Sequence, residues 1–163
     1  MCEQLVLVPV LQGASQAREG EVVDASSKDS VSISYFATMI EFLLVMLGGA
    51  VGSGLRYGVG MLLPSSQGGF PWATLAVNVV GSFVLGMLIG SSLTSTPMSR
   101  HTTLLLGTGL CGGFTTYSAF AVESVLLAQE GHITIVAVYV VTTLACCTAA
   151  ALVGVLVPRM VTH

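Results

Sequence analysis

The sequence has few charged residues, and this scarcity excludes several classes of protein. Only 8% of its 163 residues are Asp, Glu, Lys or Arg, whereas soluble domains carry about 25%. A water-exposed surface cannot be built from that composition. Five basic residues in the whole chain are also too few for a nucleic-acid-binding groove. No charged residue occurs between Arg56 and Arg100, or between Glu130 and Arg159, and such stretches indicate membrane-spanning segments.

The sequence also lacks the motifs of an enzyme or of a side-chain metal centre. Its four cysteines show no C-x-x-C spacing, and its three histidines lie in predicted loops or at the C-terminus. No Ser/His/Asp or Cys/His set falls within the uncharged segments, and no glycine-rich phosphate loop precedes a lysine. The chain is therefore predicted not to be an enzyme.

Hydrophobic residues are abundant and occur in long runs. They make up 53% of the chain, and the mean hydropathy is +0.89. A membrane-spanning helix needs about 20 mostly apolar residues, and four segments qualify: residues 37–57, 71–93, 102–128 and 133–157. The runs are unbroken, unlike the alternating pattern of a membrane β-barrel. We predict an all-α protein with four transmembrane helices, a multi-pass protein of the cell (inner or plasma) membrane in contact with lipid.

The N-terminal residues differ in composition from the rest of the chain. Residues 1–38 contain most of the acidic residues and are rich in Ser, Gln and Gly beyond residue 12. They cannot bury enough apolar surface to order themselves, so we predict a polar, disordered extension at 1–38 and a helical domain at 39–160. Met39 stands where the hydrophobic chain begins, and translation from it is an alternative.

Glycines and hydroxyl groups are concentrated in the third segment. A glycine costs about 1 kcal/mol relative to alanine inside a helix. Gly112 and Gly113, beside Thr115 and Thr116, therefore favour a helix break near the bilayer centre, whose exposed carbonyls a cation such as Na⁺ could satisfy. The alternative is a close helix crossing of the G-x-x-x-G type through Gly109 and Gly113. The sequence leaves both readings open.

Polar, uncharged side chains also lie in the other segments. Asn78 needs a partner across a helix interface or a watery cavity, because an unpaired amide in hydrocarbon costs several kcal/mol. Tyr139, Thr143 and Cys147 recur every four residues and share one helix face, where they could pass an anion from donor to donor. Threonine could instead bond back to its own helix. Arg56 could extend to the interface or attract anions at a pore mouth.

Three stretches occur in order on the first three predicted helices. They are Gly48–Gly52 with Arg56–Tyr57, Pro71–Leu75 with Asn78 and Gly81–Ser82, and Gly112–Phe120. Together they resemble the signature stretches of the CrcB/Fluc fluoride channel family, over about residues 39–160. The resemblance implies a fluoride-selective channel that exports cytoplasmic fluoride by passive conduction and so reduces fluoride toxicity. It also implies an antiparallel, dual-topology homodimer with pores at its interface and a third helix broken near its centre.

The resemblance implies particular site residues. A structural Na⁺ would be bound by backbone carbonyls of Gly112 and Thr115 from both subunits. The predicted fluoride pathway comprises Asn78, Tyr117, Phe120, Ser118, Tyr139, Thr143 and Arg56. Fluoride is small and strongly hydrated, so amide and hydroxyl donors and the positive edges of aromatic rings must replace its water. The chain departs from the family at Tyr117, where phenylalanine is usual, and at Cys147, which is a weaker donor than a hydroxyl.

A small four-helix, proton-coupled exporter of cationic compounds or drugs is the alternative function. That chemistry needs a membrane-embedded carboxylate to exchange protons for substrate. Glu41, near the start of the first segment, is the candidate, because Glu123 lies late in the third.

Overall fold

Four apolar helical spans account for most of the protein. The computed structural model describes residues 35–65, 68–93 and 98–161, so the predicted extension lies outside the described residues except for its last four. The spans are Tyr35–Leu62, Trp72–Ser92, Arg100–Gln129 and Ile133–Met160. Each is long and apolar enough to cross a membrane, and the described residues contain no strand. The prediction of four spanning helices is confirmed.

The chain divides into two compact units. The first is Met1–Ile40, of which the described part is the helical stretch 35–40. The second is Glu41–His163. It contains the rest of the first helix, α1 (Tyr35–Leu62), and the helices α2 (Trp72–Ser92) and α6 (Ile133–Val161).

Helix α1 ends later than the sequence predicts. The predicted end was residue 57, but the helix continues through Gly58 and Gly60 to Leu62. The Leu63 amide still donates to the Val59 carbonyl at 2.9 Å. The neighbouring side chains are apolar, and an apolar environment favours internal backbone bonds over the irregular backbone that glycine permits in water. Arg56 therefore lies within α1 rather than at its end.

The third span is built from several segments. It begins with α3 (Arg100–Thr103), continues as a π-helix (Leu104–Cys111) and a single turn α4 (Gly112–Phe114), and resumes as α5 (Tyr117–Gln129). Between α4 and α5 the backbone is extended, with φ −77° and ψ 158° at Thr115 and φ −151° and ψ 114° at Thr116. Gly112 itself is helical, with φ −63° and ψ −38°. The extended residues are therefore the two threonines, and not the glycines that the sequence singled out.

The glycines of the third span serve close packing against α1. A Cβ atom on Gly113 would lie 2.4 Å from the Gly49 carbonyl oxygen, and one on Gly109 would lie 2.9 Å from the Val45 carbonyl oxygen. From the α1 side, a Cβ on Gly48 would lie 2.2 Å from the Leu105 carbonyl oxygen. Only a hydrogen at these positions permits such backbone contact. The G-x-x-x-G crossing through Gly109 and Gly113 is confirmed.

Helices α2 and α6 approach each other in the same way. A Cβ on Gly86 would lie 2.4 Å from the Ala151 carbonyl oxygen, and one on Gly154 would lie 2.3 Å from the Phe83 carbonyl oxygen. Helix α5 ends in a tight turn at Gly131, whose φ of 83° favours glycine. This crossing holds the polar residues of α2 and α6 close together, while the first crossing joins α1 to the third span.

Candidate functional site

A cavity of about 530 Å³ lies between α2, the third span and α6. Among its lining residues are Asn78, Gly112, Thr115, Tyr117, Phe120, Thr143 and Cys147. Six of these are predicted pathway or Na⁺ residues, so the fold gathers most of the predicted site around one space. The residues lining the cavity include no Asp, Glu, Lys or Arg, and the polar groups on its largely apolar wall come from hydroxyl, amide, thiol and backbone groups.

Asn78 is bound to the extended backbone. Its side chain is buried, with Nδ2 donating to the Thr116 carbonyl at 3.0 Å. The Thr116 amide in turn donates to Asn78 Oδ1 at 2.7 Å. The sequence required a partner for this amide, and that partner is the backbone of Thr116. Its predicted contact with the anion stays a prediction.

The extended threonines alter the bonding of two carbonyls on the cavity wall. In an uninterrupted helix the Gly112 carbonyl would accept from the Thr116 amide, and the Thr115 carbonyl from the Ala119 amide. Here the Thr116 amide donates to Asn78, and the Ala119 amide donates to Thr116 Oγ1 at 3.1 Å. Both carbonyls thus lose their helical donors, and a hard cation prefers oxygen ligands of this kind. The described residues contain no cluster of three or more His, Cys, Asp or Glu that could hold a metal, so a cation here would depend on backbone oxygen.

The predicted stripe on α6 divides between two environments. Thr143 and Cys147 line the cavity, and Thr143 Oγ1 is buried without a hydrogen-bond partner. Tyr139 is completely buried outside the cavity lining, and its hydroxyl donates to Glu123 Oε2 at 2.7 Å. Thr74 donates to the other oxygen of Glu123, also at 2.7 Å. The alternative that Thr143 bonds back to its own helix is therefore wrong, since its hydroxyl makes no bond.

Aromatic rings connect the cavity to this hydrogen-bonded cluster. The Phe120 ring centroid lies 5.0 Å from that of Tyr139 and 5.7 Å from that of Tyr117. Phe120 is buried, whereas the Tyr117 side chain is 79% exposed. Phe120 therefore lines the cavity and also packs against the Tyr139 ring.

A second cavity, of about 210 Å³, lies on the other side of Thr116. Its lining includes Arg56, Thr74, Thr116 and Glu123, so Thr116 borders both cavities. Ser118 lines neither cavity and is exposed, with its hydroxyl 3.3 Å from that of Thr116. Arg56 thus lies at the second cavity. Ser118 lies beside Thr116, outside the lining of both cavities.

Sequence reasoning missed the role of Glu123 and of its partner Thr74. From the sequence, Glu123 is considered only as a carboxylate for an exporter, and Thr74 only as part of a signature stretch. The signal that could have found the pair was the presence of a single carboxylate within the apolar third span. Such a group requires hydrogen-bond donors from neighbouring helices, and Tyr139 and Thr74 supply them.

Fold and site together define a small multi-pass membrane protein with a cavity between its helices that carries polar groups but no charged residue, the class that contains channels and transporters. Residues 43–155 match the family model described as CrcB-like protein, Camphor Resistance (CrcB). The chain belongs to this family, and the resemblance seen in the sequence is confirmed.

Curated relatives agree with this assignment. The fluoride-specific ion channel FluC of Thermus thermophilus is 48% identical over 96 residues, which cover 58% of this chain and 76% of the relative. The fluoride-specific ion channel FluC of Rhizobium leguminosarum bv. trifolii is 43% identical over 122 residues, which cover 74% of this chain and 98% of the relative. These relatives are named as ion channels and not as enzymes, in agreement with the prediction that the chain is no enzyme. The chain is a multi-pass cell membrane protein.

Proposed function

We propose that the chain is the subunit of a fluoride-selective channel through which fluoride leaves the cytoplasm, which reduces fluoride toxicity. The observation that carries the proposal is the cavity at Thr143, whose buried hydroxyl has no protein partner, in a chain of this family. An unpaired buried hydroxyl costs stability, and a conducted anion that accepts its hydrogen bond explains why it is there.

The fluoride path in this proposal runs from the large cavity past Thr116 to the cavity at Arg56. Thr143 supplies a hydroxyl donor, and Tyr117 and Phe120 supply positive ring edges to an anion that loses its water. No fixed cation lines the large cavity, so the anion is not held too tightly to leave. Arg56 attracts anions to the second cavity. Support comes from Thr116, which borders both cavities.

In this proposal the functional unit is an antiparallel, dual-topology homodimer with its pores at the interface. The large cavity lies on the surface of a single four-helix subunit, and a second copy would enclose it. The extended pair Thr115–Thr116 forms a break of the third helix near the bilayer centre. The Gly112 and Thr115 carbonyls of both subunits would hold a structural Na⁺, and support comes from the loss of their helical donors. The cation would supply positive charge that joins the two subunits.

Fluoride efflux from liposomes tests the proposed function directly. Liposomes that contain the purified protein and are loaded with potassium fluoride should release fluoride rapidly when an ionophore balances the charge. Liposomes loaded with chloride should release far less. Efflux is measured with ion-selective electrodes, and protein-free liposomes serve as the control. Absence of fluoride efflux from correctly inserted protein, or equal efflux of chloride, would contradict the proposal.

The exporter alternative is tested at Glu41. Both carboxylate oxygens of Glu41 accept from Arg100, through Nε and, at 2.9 Å, through Nη2. A carboxylate engaged by a guanidinium in this way is poorly suited to exchange protons for a substrate. Glu41→Gln should therefore leave fluoride efflux within about twofold of wild type, since exposed ion pairs contribute little. Glu130→Gln, the same change at an exposed carboxylate, is the control. A strong loss of transport confined to Glu41→Gln would favour the exporter.

A further inference from the structure

The peptide bond between Thr115 and Thr116 has a fixed orientation. The described residues contain no cis peptide bond, and in a trans peptide the N–H and C=O groups point in opposite directions. Because the Thr116 N–H is held by Asn78 Oδ1 at 2.7 Å, the Thr115 carbonyl of the same peptide is directed away from Asn78. The side chain of Asn78 therefore decides where that carbonyl oxygen points.

Asn78 also binds the carbonyl group of Thr116. Its Nδ2 donates to the Thr116 carbonyl at 3.0 Å, so one carboxamide holds both backbone groups of a single residue. This pair of hydrogen bonds keeps Thr116 extended, and it engages one of the two lone pairs of the Thr116 carbonyl oxygen. One N–H of the carboxamide remains, and direct donation to an anion is the alternative role that an experiment must separate.

Helix α2 contacts Thr115 as well as Thr116. Gly81 lies three residues after Asn78 and therefore on the same helix face. A Cβ on Gly81 would lie 2.2 Å from Thr115 Cγ2, whereas the next nearest atoms, at 3.4 and 3.7 Å, would be in ordinary contact. The hydrogen of Gly81 thus leaves the space that the Thr115 methyl group occupies.

We infer that Asn78 and Gly81 form a seat on α2 that positions the Thr115 carbonyl for the cation, and that Asn78 acts through the Thr116 amide instead of as a ligand of the anion. The inference rests on the proposed function, since it assigns positioning residues to the Na⁺ site proposed there. It makes cation affinity, and not only fluoride flux, depend on two residues of α2: Asn78, which binds backbone groups, and Gly81, whose hydrogen leaves space for the Thr115 methyl group.

The first test compares two Asn78 variants by their response to Na⁺. The midpoint of thermal unfolding of the purified full-length protein is followed as NaCl replaces N-methyl-D-glucamine chloride at constant ionic strength. Asn78→Leu removes both hydrogen bonds and should raise the half-saturating Na⁺ concentration about tenfold or more. Asn78→Asp keeps an oxygen that accepts from the Thr116 amide but loses the donor to the Thr116 carbonyl, so it should raise this concentration less than Asn78→Leu does. An unchanged Na⁺ response in Asn78→Leu, with fluoride flux lost, would overturn the inference and make Asn78 an anion ligand.

The second test uses Gly81 and does not depend on Asn78. Gly81→Ala should push the Thr115 methyl group aside and raise the half-saturating Na⁺ concentration about tenfold. Adding Thr115→Ser removes that methyl group, retains a hydroxyl for the Cys111 carbonyl, and should restore the wild-type value. Gly58→Ala is the control, because its Cβ would meet no atom within 4 Å. Failure of Thr115→Ser to rescue a folded Gly81→Ala protein would overturn the seat.

The two tests also separate this inference from the proposed function. Fluoride efflux of the wild-type protein tests the channel, and its Na⁺ response tests the cation site. A wild-type protein that conducts fluoride without any response to Na⁺ would overturn both the cation site and the seat, while leaving the channel intact. A wild-type protein that responds to Na⁺, with variants that respond identically, would overturn the seat alone.

Discussion

Gly52→Ala should remove most of the folded protein. A Cβ on Gly52 would lie 2.2 Å from the Leu110 carbonyl oxygen and 2.8 Å from the Phe114 amide nitrogen. Both atoms belong to backbone, which cannot turn aside as a flexible side chain can, so α1 would have to separate from the third span. Overpacking at such a site costs about 3 kcal/mol, a large part of the stability of a small domain. The yield of monodisperse protein in detergent and its thermal midpoint measure the effect.

Gly58→Ala in the same helix is the matched control. It makes the same chemical change in α1, but the added Cβ would meet no atom within 4 Å. Replacing a helical glycine by alanine there should leave the protein folded or stabilise it by a few tenths of a kcal/mol or more. Equal yields of the two variants would show that the crossing of α1 with the third span is not as close as the structure has it.

The positions of the four spans could be predicted from the sequence because hydropathy and length are local properties. The predicted second span, 71–93, and the observed helix, Trp72–Ser92, differ by one residue at each end. The end of α1 was predicted less well, because Gly58 and Gly60 favour a turn in water but not in an apolar environment. Local propensity alone cannot distinguish these two cases.

The position of the extended residues in the third span depends on a residue far away in the sequence. Helix propensity pointed to Gly112 and Gly113, and both are helical. Thr115 and Thr116 are extended because the Thr116 backbone bonds to Asn78, 38 residues earlier. The sequence showed that Asn78 needed a partner, but no periodicity or propensity rule identifies that partner as the backbone of another helix.

Tyr139 illustrates the same limit at the candidate site. Its spacing from Thr143 and Cys147 predicted one polar face on α6, which is correct for the backbone. The Tyr139 hydroxyl nevertheless belongs to a separate cluster, because Glu123 of α5 accepts its hydrogen bond. The residues of one helix can be assigned to a face from sequence, but the environment of each side chain depends on what the other helices bring to it.

Thr143→Val should reduce fluoride flux about tenfold or more while leaving the protein as stable as wild type, or more stable. Valine has nearly the same shape as threonine but no hydroxyl. Thr143 Oγ1 is the one buried side-chain oxygen or nitrogen without a partner among the described residues, so its removal breaks no bond within the subunit. An unpaired buried hydroxyl costs about 1–3 kcal/mol, and its loss should raise the thermal midpoint. If the hydroxyl serves only a dehydrating anion, its removal should lower fluoride flux without lowering the thermal midpoint.

Thr148→Val provides the matched control for this prediction. Thr148 is on the same helix but exposed, and it lies outside the lining of both cavities described above. The same substitution there should change neither flux nor the thermal midpoint by much. Both variants are compared with wild type in fluoride efflux and thermal unfolding on the same preparations. Wild-type flux in a folded Thr143→Val protein would exclude the hydroxyl from the path. A lower thermal midpoint would instead show that the hydroxyl has a structural partner in the assembled protein, and only loss of flux without loss of stability assigns Thr143 to conduction.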